Sequence, residues 1–259
     1  MWGLVLHILT EYKIRGKCYT YTIMTETSIP KVIHYCWFGK KEKNDLIKKC
    51  IKSWHTMCPD FTIKEWNEEN YDVYAHPFPK KMYDAKRFAF VADYVRLEVL
   101  EKEGGFYLDT DMLLLQSLSP FTQHECVLGE EEPGIISAGM MGAVPGHRYI
   151  KSAKEYYDDE GRALVTIPVA LTKVFAELDS KEGIYVCPPH YFYPFDQGSI
   201  EKYQGQQLGS DVYGVHLWNY SWGHPLNKFF KKIKIYALGK KIAEKLHIKK
   251  LLKKLFRFI

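Results

Sequence analysis

The run Arg87-Phe-Ala-Phe-Val-Ala-Asp93-Tyr-Val-Arg96-Leu-Glu-Val-Leu-Glu-Lys-Glu-Gly104-Gly105-Phe-Tyr-Leu-Asp109-Thr-Asp111 decides how this chain is read. Phe88, Val91, Ala92, Val95 and Val99 fall on one stripe of a helix, and Leu97 and Leu100 add a second. A helix that is apolar on more than one face is expected to be buried. The spacing predicts that it spans 80–103 and stops at the Gly104-Gly105 pair, since glycine takes the left-handed conformation that closes helices. Asp93 and Arg96 lie one turn apart within it, on neighbouring surface. Buried charge is costly unless paired. The two residues therefore either staple the helix internally or face a cleft, where arginine meets phosphate and aspartate accepts from hydroxyls.

Phe106–Leu115 reads as a strand followed by a turn or a second strand. If Asp109 and Asp111 are extended, they share a face with Cα atoms about 6.5–7 Å apart. Two carboxylates so placed repel unless a cation sits between them, and hard oxygen ligands suit Mg²⁺ or Mn²⁺. A divalent ion held there also grips a diphosphate and neutralises it as a leaving group. The tripeptide alone reads more readily as a polar turn between strands, so the helix and the glycine pair before it carry the weight.

Working outward, Lys31–Trp37 reads as a buried strand, 43–57 as a helix and Phe61–Trp66 as an alternating strand. Strand, helix and strand in so short a span indicate a parallel αβ sheet. Residues 146–178 are expected to be mostly helical with a break near Pro168, and 183–216 to be loops with short strands. Ile135–Gly142 carries Ser137, and the acidic run Glu130–Glu132 either faces acceptor or sugar or, as the favoured reading, lies on a solvated loop.

The 259 residues are 46% hydrophobic and 26% charged, which fits a globular α/β chain and excludes disorder or a disulfide-stapled miniprotein. No uninterrupted apolar stretch is long enough to span a bilayer. Six scattered cysteines match no zinc spacing and favour reduced thiols in a cytosolic setting. The net charge of +5 conceals an asymmetry: residues 228–259 hold 11 Lys, one Arg and one Glu, a balance of +11, which leaves −6 on residues 1–227. Ile248, Leu251, Leu252, Leu255 and Ile259 recur at helical spacing with Lys249, Lys250, Lys253, Lys254 and Arg257 opposite. That is a basic amphipathic helix of interfacial type, suited to an anionic membrane surface. With no recognition motif and an acidic body, nucleic acid is not expected as a partner. Residues 1–28 are read as an N-terminal extension with Met24 as an alternative start, 29–227 as a catalytic domain and 228–259 as the basic tail.

The run from Arg87 to Asp111 resembles glycosyltransferase family 32, whose sugar-binding region carries a D-x-D motif. Ile29–Gly39 is similar to the opening of bacterial members, and Trp54, Pro59-Asp60 and Glu65-Trp66-Asn67 resemble further landmarks. The resemblance is dense over 29–145 and thinner beyond. It implies a glycosyltransferase A-type, Rossmann-like α/β fold, a nucleotide-diphosphate sugar donor such as a UDP-sugar, Mn²⁺ or Mg²⁺, and retention of anomeric configuration. It further implies a metal and diphosphate role for Asp109 and Asp111, donor contacts for Asp93 and Arg96, and a base and ribose site near Tyr35 and Trp37. His216-Leu-Trp-Asn-Tyr-Ser-Trp222 is similar to the family's C-terminal H-x-x-x-x-S-W element. His216 is thereby a candidate metal ligand, and Ser221 and Trp222 are candidate diphosphate contacts. Ser137 stands where the family often has Asn.

The expectation is a hexosyltransferase that builds a bacterial surface glycan, such as capsule or O-antigen, on a lipid-linked acceptor at the cytoplasmic face of the plasma membrane. Its rivals are a toxin-like transferase that modifies protein, a D-x-D phosphohydrolase and a non-catalytic assembly scaffold.

Overall fold

The computed structural model describes residues 6–14, 17–25, 28–158 and 165–219. Leu6–Ile14 (β1) and Lys17–Thr25 (β2) pair antiparallel as a hairpin. The central sheet is built from Val32–Cys36 (β3), Thr62–Trp66 (β4), Gly105–Leu108 (β5), Cys126–Glu132 (β7), Ile135–Ala143 (β8) and Ile184–Cys187 (β9). Its strand order is β4-β3-β5-β8-β7-β9. Met112–Leu114 (β6) and Gly214–His216 (β10) form a separate antiparallel pair beside it.

The α/β class expected from the sequence is what is found, but the sheet is mixed. β3 lies parallel to β4 and to β5, and β7 to β9, whereas β8 runs antiparallel to both β5 and β7. The reason is local. Gly134 turns the chain at φ 83° between β7 and β8, so these neighbours join by a short reversal that needs no crossover helix. The run Glu130–Glu132 thus closes a strand where a solvated loop was expected.

Helices cover both faces. Asp45–Met57 (α1) begins where the Asn44 side chain accepts from the Ile47 amide, the usual way to satisfy a free N-terminal donor. It buries Ile47, Cys50 and Trp54 against β6. On the other face lie Pro77–Asp84 (α2), Phe88–Glu103 (α3), Arg148–Asp158 (α4) and Ile167–Glu177 (α5). The single helix expected over 80–103 is two helices. Lys86 takes φ 56°, and the amides of Lys86 and Arg87 bond back to the carbonyls of Tyr83 and Met82, which ends α2 and restarts the chain as α3. Pro168 falls in the first turn of α5, where its missing N–H costs nothing, so the break precedes it.

Burial of α3 is as its two stripes require, with Val91, Val95, Leu97 and Leu100 fully enclosed. Gly104 (φ 65°) and Gly105 (φ 89°) stop it. A Cβ on Gly105 would come within 2.8 Å of the Val32 carbonyl oxygen, so only glycine lets β5 enter the sheet beside β3. Cys36, Cys50, Cys58, Cys126 and Cys187 are buried free thiols. No helix of the described residues is long and apolar enough to cross a membrane.

Candidate active site

β3 and β5 point their carboxyl ends the same way, and such ends are where α/β sheets bind ligands. Asp109 is the first residue beyond β5. The segment Asp109–Asp111 is a tight turn, closed by the Met112 amide on the Asp109 carbonyl at 2.9 Å, so the extended alternative does not apply. The turn brings the two carboxylates to one point by reversing the chain between them.

His216 enters from β10, which pairs with β6 so that His216 lies opposite Met112. Its Nε2 is 3.2 Å from Asp111 Oδ1 and 3.7 Å from Asp109 Oδ2. Ligand atoms of Asp109, Asp111 and His216 all lie within 4.8 Å of one another. Two carboxylates and an imidazole form a donor set that fits Mn²⁺ well and Mg²⁺ through its oxygens. Without an ion, burial pushes the imidazole pKa down, but Asp111 and Asp109 outweigh it and raise it to about 10. The two carboxylates thus favour positive charge at this point, which a bound cation would supply beside a neutral imidazole. The Nδ1 of His216 is buried with no hydrogen-bond partner.

The same segment ties its end to the turn. The amide of Leu217 donates to the Asp111 carbonyl at 2.9 Å, and that of Asn219 to Asp111 Oδ2 at 2.6 Å. Trp218 adopts φ 51° and stands edge-on to the His216 ring at 4.4 Å between centroids. A left-handed tryptophan is strained, and here it places an indole wall against the His216 imidazole.

Asp93 and Arg96 reach this cluster by pairing. Arg96 donates through NH2 to Asp93 Oδ1 at 2.9 Å and through NH1 to Asp109 Oδ1 at 3.0 Å and the Ala138 carbonyl at 2.8 Å. Its guanidinium also lies 4.4 Å from the centre of the Tyr107 ring. The internal staple is therefore present, and it extends to the first aspartate of the turn. Burial raises the Asp93 carboxyl to about 7, with Arg96 opposing and the Asp109 charge adding to the rise. Burial likewise favours the neutral form of Asp109, yet Arg96 and His216 prevail and hold its pKa below the usual range.

β8 supplies the floor. The Asp109 amide donates to the Gly139 carbonyl at 3.0 Å. A Cβ on Gly139 would meet the Tyr193 hydroxyl at 2.8 Å and Asp109 Oδ2 and His216 Cδ2 at 3.2 Å. Ser137 Oγ bonds the Tyr193 hydroxyl at 2.5 Å and accepts from the Gly139 amide at 3.2 Å. Gly139, Tyr193 and Asn219 were not singled out from the sequence; the alternation along 135–143 was the signal that Ser137 and Gly139 share a face.

Tyr35 and Trp37 stand apart from the cluster. Tyr35 bonds Glu65 and meets the Trp54 ring edge-on at 5.4 Å, and Trp54 donates to the Met112 carbonyl at 2.7 Å. Trp37 is half-buried just beyond β3 and donates to the Lys41 carbonyl at 2.5 Å. Both thus sit at or beyond the carboxyl end of a strand adjacent to β5. Ser221, Trp222 and the tail 228–259 lie outside the described residues.

Residues 44–128 match the family model described as the glycosyltransferase sugar-binding region containing the DXD motif. Inositol phosphoceramide mannosyltransferase 3 of Schizosaccharomyces pombe is 29% identical over 218 residues, covering 74% of this chain and 60% of that protein. Lactosylceramide 4-alpha-galactosyltransferase of Pan troglodytes is 28% identical over 148 residues, covering 50% of this chain and 41% of that protein. The chain thus spans less than two thirds of the length of these relatives. Both names describe ceramide lipids, not capsule. Among solved structures, the PaToxG glycosyltransferase aligns with 58% of this chain and 70% of its own at 16% identity, with a TM-score of 0.46. Asp93, Arg96, Asp109 and Asp111 all fall inside residues 44–128, the stretch that matches the DXD-containing glycosyltransferase sugar-binding region.

Proposed function

We propose that this chain transfers a hexose from a nucleoside-diphosphate sugar, a UDP-sugar foremost, to a lipid-linked glycan, with Mn²⁺ or Mg²⁺ bound by Asp109, Asp111 and His216 and with retention at the anomeric carbon. The observation that carries this reading is the convergence of those three side chains at the carboxyl end of β5. When bound, the ion supplies positive charge that stabilises the diphosphate as a leaving group. The chain's own residues do the rest. Arg96 fixes the Asp109 carboxylate through NH1, and the Asn219 amide fixes Asp111, so neither needs to reorganise when a donor arrives. Pre-set charges of this kind are the largest single contribution in many enzymes. The Trp218 and Tyr193 rings flank the imidazole and keep water from one side of it. No side chain of the described site is placed as a covalent nucleophile, which accords with a front-side displacement where the departing phosphate takes the acceptor proton.

The printed names of the relatives support an acceptor carried on lipid and favour no particular bacterial glycan. The basic segment 228–259 supports the same setting: we place the enzyme on the cytoplasmic face of a bacterial plasma membrane, against anionic headgroups.

The deciding measurement is slow donor hydrolysis over a panel of nucleotide sugars, with and without Mn²⁺, for wild type and Asp111→Asn. Mn²⁺-dependent turnover of one donor, reduced in the variant by more than about a hundredfold, the upper end for partners one shell further out, is expected. No turnover together with no Mn²⁺-dependent binding of UDP or GDP would leave the chain a non-catalytic scaffold.

A further inference from the structure

The three side chains of the candidate ion site arrive on separate segments. Asp109 and Asp111 sit in the turn after β5, and His216 ends β10. The β6–β10 ladder sets the main chain of His216 opposite Met112, and the Leu217 amide bonds the Asp111 carbonyl at 2.9 Å. These bonds hold His216 against Asp111, the nearer carboxylate at 3.2 Å. Asp109 is further away, at 3.7 Å, and is tied to His216 by a different route. Its amide donates to the Gly139 carbonyl at 3.0 Å. The Gly139 amide donates to Ser137 Oγ at 3.2 Å, and Ser137 Oγ bonds the Tyr193 hydroxyl at 2.5 Å. Phe192, the residue before Tyr193, supplies the carbonyl that accepts from the His216 amide at 3.0 Å. The Tyr193 ring itself lies 5.4 Å from the imidazole.

We infer that the Ser137–Tyr193 hydroxyl pair is a positioning device that sets the span between Asp109 and His216, and that it thereby gives the site a preference for Mn²⁺ over Mg²⁺. This rests on the ion-dependent reading above. Three observations lead to it. Both residues are almost wholly buried, so no water competes for the bond and low local polarity strengthens it. A buried hydroxyl pair adds little net stability over an apolar pair of the same shape, so packing alone does not call for one here. The surroundings also leave no slack. The Tyr193 amide is pinned to the Pro189 carbonyl at 2.7 Å. A Cβ on Gly139 would meet the Tyr193 hydroxyl at 2.8 Å and both Asp109 Oδ2 and His216 Cδ2 at 3.2 Å, so hydroxyl, carboxylate and imidazole crowd one point. Ion chemistry turns this span into selectivity. Mg²⁺ is satisfied by carboxylates and retained waters, and it is indifferent to where an imidazole stands. A transition-metal ion gains more from a nitrogen ligand, and it does so only if Asp109 and His216 can reach it together.

The test titrates MnCl₂ and MgCl₂ calorimetrically into the full chain after chelator treatment, alone and with UDP or GDP present. It compares wild type, Tyr193→Phe, Ser137→Ala and the double variant. Tyr213→Phe, which removes a hydroxyl just before β10, is the control. Wild type should bind Mn²⁺ more tightly than Mg²⁺. Expected for Tyr193→Phe is a rise of about tenfold in the Mn²⁺ Kd, the lower end for a residue that orients a ligand without touching the metal. The Mg²⁺ Kd should stay within about twofold. Ser137→Ala should shift the Mn²⁺/Mg²⁺ ratio the same way, and the double variant should be no worse than Ser137→Ala alone, as one shared bond requires. Tyr213→Phe should leave the ratio unchanged. The ion-free thermal midpoint is recorded alongside, because lost stability by itself weakens both ions together and does not move the ratio. If Tyr193→Phe does not fold, the ratio in Ser137→Ala decides. A wild type without Mn²⁺ preference, an unchanged ratio in the variants, or single effects that multiply in the double variant overturns the inference while the glycosyl-transfer reading stands. A wild type that binds neither ion under any of these conditions overturns the inference and the ion-dependent reading with it.

Discussion

Arg96 is the residue on which the site turns. Its fork satisfies two carboxylates and a backbone carbonyl at once, with its face on Tyr107. Lysine presents one point charge and three mobile donors, so it is no conservative replacement at a forked, stacked position. Arg96→Lys is expected to destabilise the fold by about 3 kcal/mol or more, the lower end for breaking a buried pair, and to weaken Mn²⁺ binding through Asp109. Urea unfolding and calorimetric Mn²⁺ titration on the same sample check both, and unchanged Mn²⁺ affinity would show that Asp109 holds its place unaided. Asp93, Arg96, Asp109 and Asp111 were legible in the sequence because three of the four sit on a regular helix or at a strand end, where spacing determines direction. The left-handed Trp218 was not, since a bulky residue at positive φ runs against every local preference.

At the scale of elements, His34 is the clamp where three segments meet. In the middle of β3 it donates from Nε2 to the Gly104 carbonyl at 2.9 Å and accepts at Nδ1 from the Trp66 indole at 3.1 Å. Only the neutral ring makes both bonds. Burial, with Lys64 adding to it, lowers its pKa to about 4 despite Glu103 and the Gly104 contact. The unfolded chain titrates near 6.5, so below that pH it binds a proton that the folded chain refuses. Stability from His34 is thus present above pH 6.5 and falls as the pH drops towards 4, by as much as about 3 kcal/mol. Urea midpoints at pH 7 and pH 5 should show the loss, and His34→Gln should flatten it. An equal slope in the variant would assign the acid sensitivity to other groups, His147 among them, whose pKa is also lowered to about 4 by burial. The strand, helix, strand opening was readable from period and length alone. The division of 80–103 into two helices was not, because Lys86 gives no glycine-like signal for its positive φ. The β7–β8 reversal also escaped, since it turns on Gly134 alone, one glycine at positive φ inside a run read as a loop.

For the whole molecule, charge is the organising quantity. The body carries −6 and residues 228–259 carry +11, so each end of the chain prefers a different neighbour. The full chain is expected to float with phosphatidylglycerol vesicles at low salt and to be released as ionic strength rises. Binding that persists without residues 228–259 would remove the electrostatic account. The mixed sheet sets another condition on the molecule as a whole. Asp109 and Asp111 are completed by an imidazole 105 positions further along, delivered by the last described strand. During synthesis the ribosome extrudes both acids long before His216. In that interval Arg96 is the cation already at hand for Asp109, and Asp111 has neither its imidazole nor the Asn219 amide. The nascent chain is therefore born without a finished ion site, and competence arrives late, as β10 docks on β6.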